Sequence, residues 1–214
     1  MLNKNKGIIP DKFSSGELMK KLILFYMITV MFSVCNVHAA EPFSILKEEI
    51  DQVFDILNDP SYSDTAKKSE QHDKLWKMIE NAFDFRIMSR LTLAHNWKSF
   101  SPDEQAEFAQ VFGHFLGNTY LEKIQSGFSG EKVEYLGHDM LTDTKAVVKT
   151  TIVRNDVKTP IDYSMQNKND TWKIYDVKIE GVSLLKNYRT QFASLLLKKK
   201  PSELIDMLKE KVNE

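Results

Sequence analysis

The chain has 214 residues, and its 29 lysines and arginines nearly balance its 30 aspartates and glutamates, for a formal net charge of −1 at pH 7. This balance argues against nucleic acid as the main partner, because such proteins present an excess of basic residues to phosphates. The single cysteine, Cys35, cannot form a disulfide within the chain. Packing alone must therefore hold the fold together.

The residues from 20 to 39 are predicted to form an export signal. Lys20-Lys21 provides the positive start, the largely apolar run 22–34 is the core, and Val37-His38-Ala39 has small residues at the first and third positions, as a cleavage site requires. The run is too short to span a bilayer core of roughly 30 Å as a helix. The pattern predicts cleavage after Ala39 and export from the cytoplasm. An uncleaved membrane anchor is the alternative, although no stop-transfer segment follows.

Met19 stands directly before the two lysines, so it is predicted to be the true start of translation. Cleavage of residues 1–39 would leave residues 40–214, a length that fits one domain with a substantial core. This part contains no internal repeat and no linker that suggests a second folding unit.

Apolar residues recur at three- and four-residue spacing in the first half of the domain, which predicts amphipathic helices. The clearest start is Ser101-Pro102-Asp103-Glu104, where a hydroxyl, a proline and a glutamate stand at the positions of a capping box. The predicted helices cover about 43–57, 65–82, 84–93 and 102–125, and two more cover about 184–196 and the residues after 201.

From residue 131 the period changes to two, which predicts strands at about 132–139, 145–154, 158–167 and 171–179. The connections are too short for crossover helices, so a four-stranded antiparallel meander is expected. The apolar phase shifts in the last strand, which predicts a bulge near Tyr175-Asp176. Helices, a meander and further helices are typical of an α+β domain whose sheet is covered on one face.

The apolar faces of the long helix and of the strands can be assigned from the spacing. These faces either fill a solid core or line an apolar cavity, and the sequence alone does not separate the two interpretations. As residues that would line such a cavity we predict Phe108, Val111, Phe112, Phe115, Val148, Ile152, Ile161, Tyr163, Met165, Trp172 and Ile174.

Residues for catalysis or metal binding are sparse. The histidines of the domain match no zinc spacing, and no HExxH motif or glycine-rich phosphate loop occurs, so no metal site is predicted. A small isomerase is the alternative function, in which Asp176 with Tyr163 would act on a ligand in an apolar cavity. Asp176 at the bulge could equally point to solvent or cap a turn.

Two stretches resemble a known family. The first stretch begins with DFRIMS at residues 84–89 and continues through Trp97 to the segment 108–120. The second begins with WKIYDV at residues 172–177 and continues with EGVSLLKNYRTQF at residues 180–192. They are similar to the toluene-tolerance family of ABC-transporter auxiliary proteins, also called the MlaC family. Tyr188, Arg189 and Phe192 match the late motif of this family, and their role is left open.

The resemblance implies a periplasmic phospholipid carrier of a Gram-negative bacterium, and not an enzyme. Such a carrier moves lipid between an outer-membrane lipoprotein complex and an inner-membrane ABC-transporter complex with its periplasmic substrate-binding subunit, which maintains the lipid asymmetry of the outer membrane. It would hold phospholipid as cargo in a deep apolar pocket between a twisted antiparallel sheet and the surrounding helices. No cofactor is implied, and a monomer is expected.

Overall fold

The computed structural model describes residues 41–213 of the chain. The predicted signal and its cleavage site lie outside these residues. Within the described part of the chain, no helix combines the length and the apolar character that crossing a membrane requires.

Six α-helices lie close to the predicted positions. The capping box at Ser101 is confirmed, because its Oγ accepts the Glu104 N–H at 3.2 Å and its own N–H donates to Glu104 Oε2 at 2.8 Å. Short 3-10 turns occupy Pro60–Tyr62, Thr65–Lys67 and Ala94–Ser99. The helices are α1 (Pro42–Asn58), α2 (Lys68–Ala82), α3 (Phe85–Leu93), α4 (Pro102–Gly127), α5 (Leu184–Leu196) and α6 (Pro201–Val212).

The strands form one antiparallel sheet in the order β1-β2-β3-β4-β5, which confirms the α+β fold. Its strands are β1 (Lys132–Thr142), β2 (Lys145–Arg154), β3 (Val157–Lys168), β4 (Thr171–Ile179) and β5 (Val182–Ser183). The predicted count of four strands is one too few. Only two residues of β5 pair with β4, which is too short a stretch for a twofold pattern to be visible in the sequence.

Three of the hairpins turn on two residues that both have positive φ, which is the geometry of a type I′ turn. These pairs are Asn155-Asp156 (φ +45° and +64°), Asn169-Asp170 (+53° and +59°) and Glu180-Gly181 (+51° and +78°). Asn, Asp and Gly tolerate this backbone region best. The last of these turns creates β5, because it reverses the chain directly after β4.

The predicted bulge lies at Tyr175. Ser164 pairs with Asp176 and Met165 pairs with Ile174, so Tyr175 is the extra residue of β4. The bulge shifts the alternation by one, and as a result Ile174 and Val177 both face the helices.

Two hydrophobic clusters make up the core. The helical core joins α3, α4, α5 and α6 around Phe108, Phe112, Tyr188 and Phe192, whose ring centroids lie 5.4 to 5.9 Å apart in the closest pairs. The sheet core joins the start of α1 to the inner face of β2, β3 and β4. Its buried members are Leu46, Ala82, Ala146, Val148, Met165, Trp172 and Ile174.

Two glycines of α4 let aromatic rings approach the helix backbone. A Cβ at Gly117 would lie 1.8 Å from Cζ3 of Trp76 in α2, and a Cβ at Gly113 would lie 2.9 Å from Cγ of Phe85 in α3. The rings of Trp76 and Phe85 stack on each other with centroids 6.0 Å apart. The absence of side chains at these two positions therefore sets how close α2 and α3 lie to α4.

Gly117→Ala should lower the free energy of unfolding by about 1–3 kcal/mol, because the indole of Trp76 must move away from the added methyl group. Chemical denaturation measures this difference. The matched control is Gly127→Ala at the end of the same helix, where a Cβ meets no atom within 4 Å. This control should leave stability unchanged or raise it by up to about 1 kcal/mol. Equal stability of the two variants would contradict the packing argument.

Candidate functional site: an apolar cavity

The helices do not fully cover the sheet, and a cavity of about 430 Å³ lies between them. This volume falls in the range of roughly 300–1,000 Å³ that is typical of small-molecule sites. Its walls come from α1, α2 and α4, together with the ends of neighbouring elements, and its floor comes from β2, β3 and β4.

The helix walls are built from residues at three- and four-residue spacing. In α1 they extend from Leu46 to Leu57, a distance of roughly 16 Å at 1.5 Å per residue. The apolar lining residues of the three helices are Leu46, Ile50, Val53, Phe54 and Leu57 in α1, Leu75, Met78, Ile79 and Ala82 in α2, and Leu116, Tyr120, Leu121 and Ile124 in α4.

Four residues of the predicted lining lie on the floor of the cavity: Ile152, Ile161, Tyr163 and Ile174. The bulge adds Val177 and Ile179 to this floor. Burial raises the pKa of the Tyr163 phenol to about 12, so this group stays neutral at physiological pH.

The other seven predicted lining residues lie outside the cavity. Val148, Met165 and Trp172 pack in the sheet core, beneath the start of α1. Phe108, Val111, Phe112 and Phe115 face the helical core. The reason is that α4 is apolar on two sides, and its phenylalanines face the other helices while the residues from Leu116 to Ile124 face the cavity.

Sequence reasoning missed the contribution of α1 and α2. The apolar stripe of α1 was visible, and it correctly predicted which side of the helix is buried. Periodicity identifies a buried side but does not tell whether other side chains or empty space lie against it. The one available signal was Glu49, a charged residue within that stripe.

Glu49 is a charged residue in the apolar α1 wall of the cavity, and one of its carboxyl oxygens is buried. Its Oε2 is shielded from solvent and has no hydrogen-bond partner among the described residues. Burial raises the pKa of its carboxyl group above the ordinary value, Lys173 opposes this shift, and Glu48 adds to it. An unpaired carboxylate is costly beside apolar side chains, which favours the protonated form.

Three more charged residues line the cavity: Lys123 in α4, Arg154 at the end of β2, and Glu131 just before β1. Arg154 Nε and Glu131 Oε1 form an ion pair at 3.2 Å. Glu131 Oε2 also accepts the Ser129 N–H at 2.8 Å. The ammonium of Lys123 lies 5.6 Å from the centroid of the Tyr120 ring.

Asp176, the candidate base of the alternative function, is not part of this lining. Its Oδ2 accepts the Ser183 hydroxyl at 2.6 Å, and its Oδ1 accepts the Leu185 N–H at 3.2 Å. The Ser183 Oγ in turn accepts the Lys186 N–H at 3.1 Å. Asp176 therefore holds the N-terminus of α5, in line with the capping interpretation.

The residues of the late motif also lie away from the cavity lining. Tyr188 and Phe192 are buried in the helical core. Arg189 Nε donates to the carbonyl oxygen of Leu91 at 3.0 Å, which ties α5 to α3. These contacts give the three residues a structural role behind the α4 wall of the cavity. Among residues 41–213, no group of histidine, cysteine and acidic side chains is arranged to hold a metal ion.

Comparisons with known proteins identify relatives of this fold. A solved phospholipid-binding protein from Ralstonia solanacearum, in complex with a phospholipid, has a similar structure with a TM-score of 0.69. The two are 22% identical, and the match covers 81% of this chain and 98% of the other. At this identity the likeness concerns the fold.

The similarity to the intermembrane phospholipid transport system binding protein MlaC of Haemophilus influenzae extends over 213 residues at 20% identity. It covers 92% of this chain and 95% of that protein. The family model described as MlaC protein matches residues 47–210, which span the helix walls, the sheet and the late motif. The family resemblance of the two sequence motifs is thus confirmed, and the chain belongs to the MlaC family.

Proposed function

We propose that this protein binds phospholipid in its apolar cavity and carries it through the periplasm between an outer-membrane lipoprotein complex and an inner-membrane ABC-transporter complex. In this role it would contribute to the lipid asymmetry of the outer membrane. The observation that carries the proposal is the cavity itself, whose walls and floor are almost entirely hydrocarbon. The phospholipid-binding and phospholipid-transport names of the two relatives support it.

Water opposes the transfer of a free lipid. Two acyl chains with about thirty methylenes in all would cost on the order of 20 kcal/mol to expose, at roughly 0.8 kcal/mol for each methylene. A cavity lined by leucine, isoleucine, valine and phenylalanine replaces the bilayer interior and removes most of this cost. The head group is polar and remains at the solvent. Direction then depends on the relative affinities of the partners at the two membranes.

This function needs no covalent chemistry. The isomerase alternative takes Asp176 as its base, and Asp176 lies outside the cavity lining and accepts hydrogen bonds from Ser183 and Leu185. Tyr163 faces the cavity as a neutral phenol. The arrangement of both groups favours binding over catalysis.

The purified protein should contain phospholipid, and a blocked cavity should not. Val53→Trp fills space on the α1 wall without adding charge, and Ile161→Glu places a carboxylate on the floor. Both variants should reduce bound phospholipid at least about tenfold, because the indole occupies volume that the acyl chains need and the carboxylate would be desolvated by them. Solvent extraction followed by mass spectrometry measures the lipid for each protein molecule.

The matched control is Leu197→Glu, which changes an apolar side chain that is 85% exposed and lies outside the cavity lining. It should retain the lipid of the wild type. Thermal unfolding identifies any variant that fails to fold. Wild-type protein without lipid, or folded Val53→Trp with a full complement of lipid, would overturn the proposal.

Lipid affinity should depend on pH through Glu49. Hydrocarbon in the cavity removes water from this carboxyl group and raises its pKa further, so lipid binding takes up a proton. The affinity is then highest below the pKa of the lipid-free protein, and it falls as pH rises through the pKa of the lipid-bound protein. We expect a decrease of roughly three- to tenfold between about pH 5 and pH 8, since a tenfold change needs one unit of pKa difference.

Transfer of fluorescent phosphatidylcholine, whose charge is constant in this range, measures the affinity. Glu49→Gln should remove most of the pH dependence. Asp55→Asn changes an exposed carboxylate of the same helix that lies outside the cavity lining, and it should keep the pH dependence. The same pH dependence in wild type and in Glu49→Gln would show that Glu49 is not the titrating group.

A further inference from the structure

The two cations of the cavity lining belong to segments that meet at one end of the cavity. Lys123 lies one helical turn before Gly127, the last residue of α4. Glu131 comes four residues after Gly127, and all three residues line the cavity. Arg154 joins them through its ion pair with Glu131. The apolar cavity therefore has a polar rim formed by the end of α4, the start of β1 and the end of β2.

The cavity reaches solvent through partly exposed lining residues. Ile124, which neighbours Lys123, is 43% exposed, and Ile179 at the end of β4 is 37% exposed. The Arg154 side chain is 53% exposed. The rim thus stands between the hydrocarbon lining and water, which is the position that a lipid head group takes when its chains are buried.

The Arg154 guanidinium is oriented by its ion pair with Glu131. Its partner Glu131 has a side chain that is only 10% exposed, and the backbone N–H and the hydroxyl of Ser129 both donate to the Glu131 carboxylate, at 2.8 and 3.2 Å. An arginine has five N–H donors in a planar fork, and such a fork matches the oxygens of a phosphate. Orientation by a mostly buried carboxylate lowers the entropy that the side chain loses when it binds an anion.

Lys123 provides the second positive charge. Its ammonium lies over the ring of Tyr120, and this ring lines the cavity. The positive charge is therefore placed between the aromatic lining and the solvent. With Glu131 counted, the rim carries one net positive charge, from Lys123, Arg154 and Glu131. One phosphate diester would neutralise this excess.

We infer that Lys123 and Arg154 form a binding site for the phosphate group of a phospholipid whose acyl chains occupy the cavity. The inference rests on the proposed function and adds a preference to it. If burial of the acyl chains alone determined the affinity, a phospholipid and an uncharged diacylglycerol with identical acyl chains would bind equally well. The rim favours the lipid that carries the anion, because phosphate accepts charge-assisted hydrogen bonds from both side chains.

Loading from vesicles that contain phosphatidylglycerol and diacylglycerol with identical acyl chains tests this preference. After separation from the vesicles, mass spectrometry gives the ratio of the two lipids in the protein. The wild type should enrich phosphatidylglycerol about three- to tenfold relative to Lys123→Gln/Arg154→Gln, as expected for two partly exposed ionic contacts. The total amount of acyl chains bound should stay within about twofold, since the apolar lining is unchanged.

Two further variants serve as controls. Lys145→Gln/Lys168→Gln removes the same number of charges from the ends of β2 and β3 that lie away from Arg154, and it should keep the wild-type ratio. In Lys123→Gln/Arg154→Gln, the Glu131 carboxylate loses its ion-pair partner. A triple variant that adds Glu131→Gln removes this carboxylate as well, and it should give the same lipid ratio as the double variant. Thermal unfolding shows that each variant is folded.

An equal lipid ratio in wild type and in the folded rim variants would overturn the inference and leave the proposed function standing. Wild-type protein that takes up neither lipid would overturn both. Calorimetry with inorganic phosphate alone separates a lipid phosphate from a free anion. Saturable binding of inorganic phosphate that the rim variants lose, combined with a lipid ratio that these variants leave unchanged, would assign the site to the free anion and overturn the inference for lipid.

Discussion

The contact between the indole of Trp76 and the backbone at Gly117 sets the distance between α2 and α4, and the shape of the cavity depends on it. No side chain stands between the two helices at this point, so the ring lies directly against the helix backbone. Phe85 makes a similar contact at Gly113 and stacks on Trp76. The other lining residues of α2 and α4, such as Ile79 and Leu121, are thereby held in place around the space above the sheet. The rings fill the space between the helices at these two glycines, so the close packing there fixes the positions of the helices beside the hollow region.

Most of the fold could be predicted from local rules. The capping box at Ser101 and the bulge at Tyr175 follow from residue types at fixed spacing, and both are present. The fifth strand could not be predicted, because Val182 and Ser183 pair only after the Glu180-Gly181 turn has reversed the chain. The location of the cavity was predictable only in part. Alternation on β2 and β3 correctly placed Ile152 and Ile161 on the inner face, since a strand has only two faces.

The helices were harder to assign, because α4 packs apolar residues on two sides. Its phenylalanines pack in the helical core. Leu116, Tyr120, Leu121 and Ile124 meet the cavity instead. Only the three-dimensional arrangement of α5 and α6 shows which side is which.

The aromatic rings of the helical core lie on the other side of α4 from the cavity, and this separation bears on the proposed role in lipid transport. Phe108, Phe112, Tyr188 and Phe192 contact one another outside the cavity lining, and Arg189 ties α5 to α3 on the same side. The contacts among these rings are therefore separate from the contacts that a bound lipid would make, whereas Met88 and Leu116 belong both to the helical core and to the cavity lining. Under the proposed function, filling and emptying the cavity would leave the contacts among these four rings in place, because none of the rings lines it.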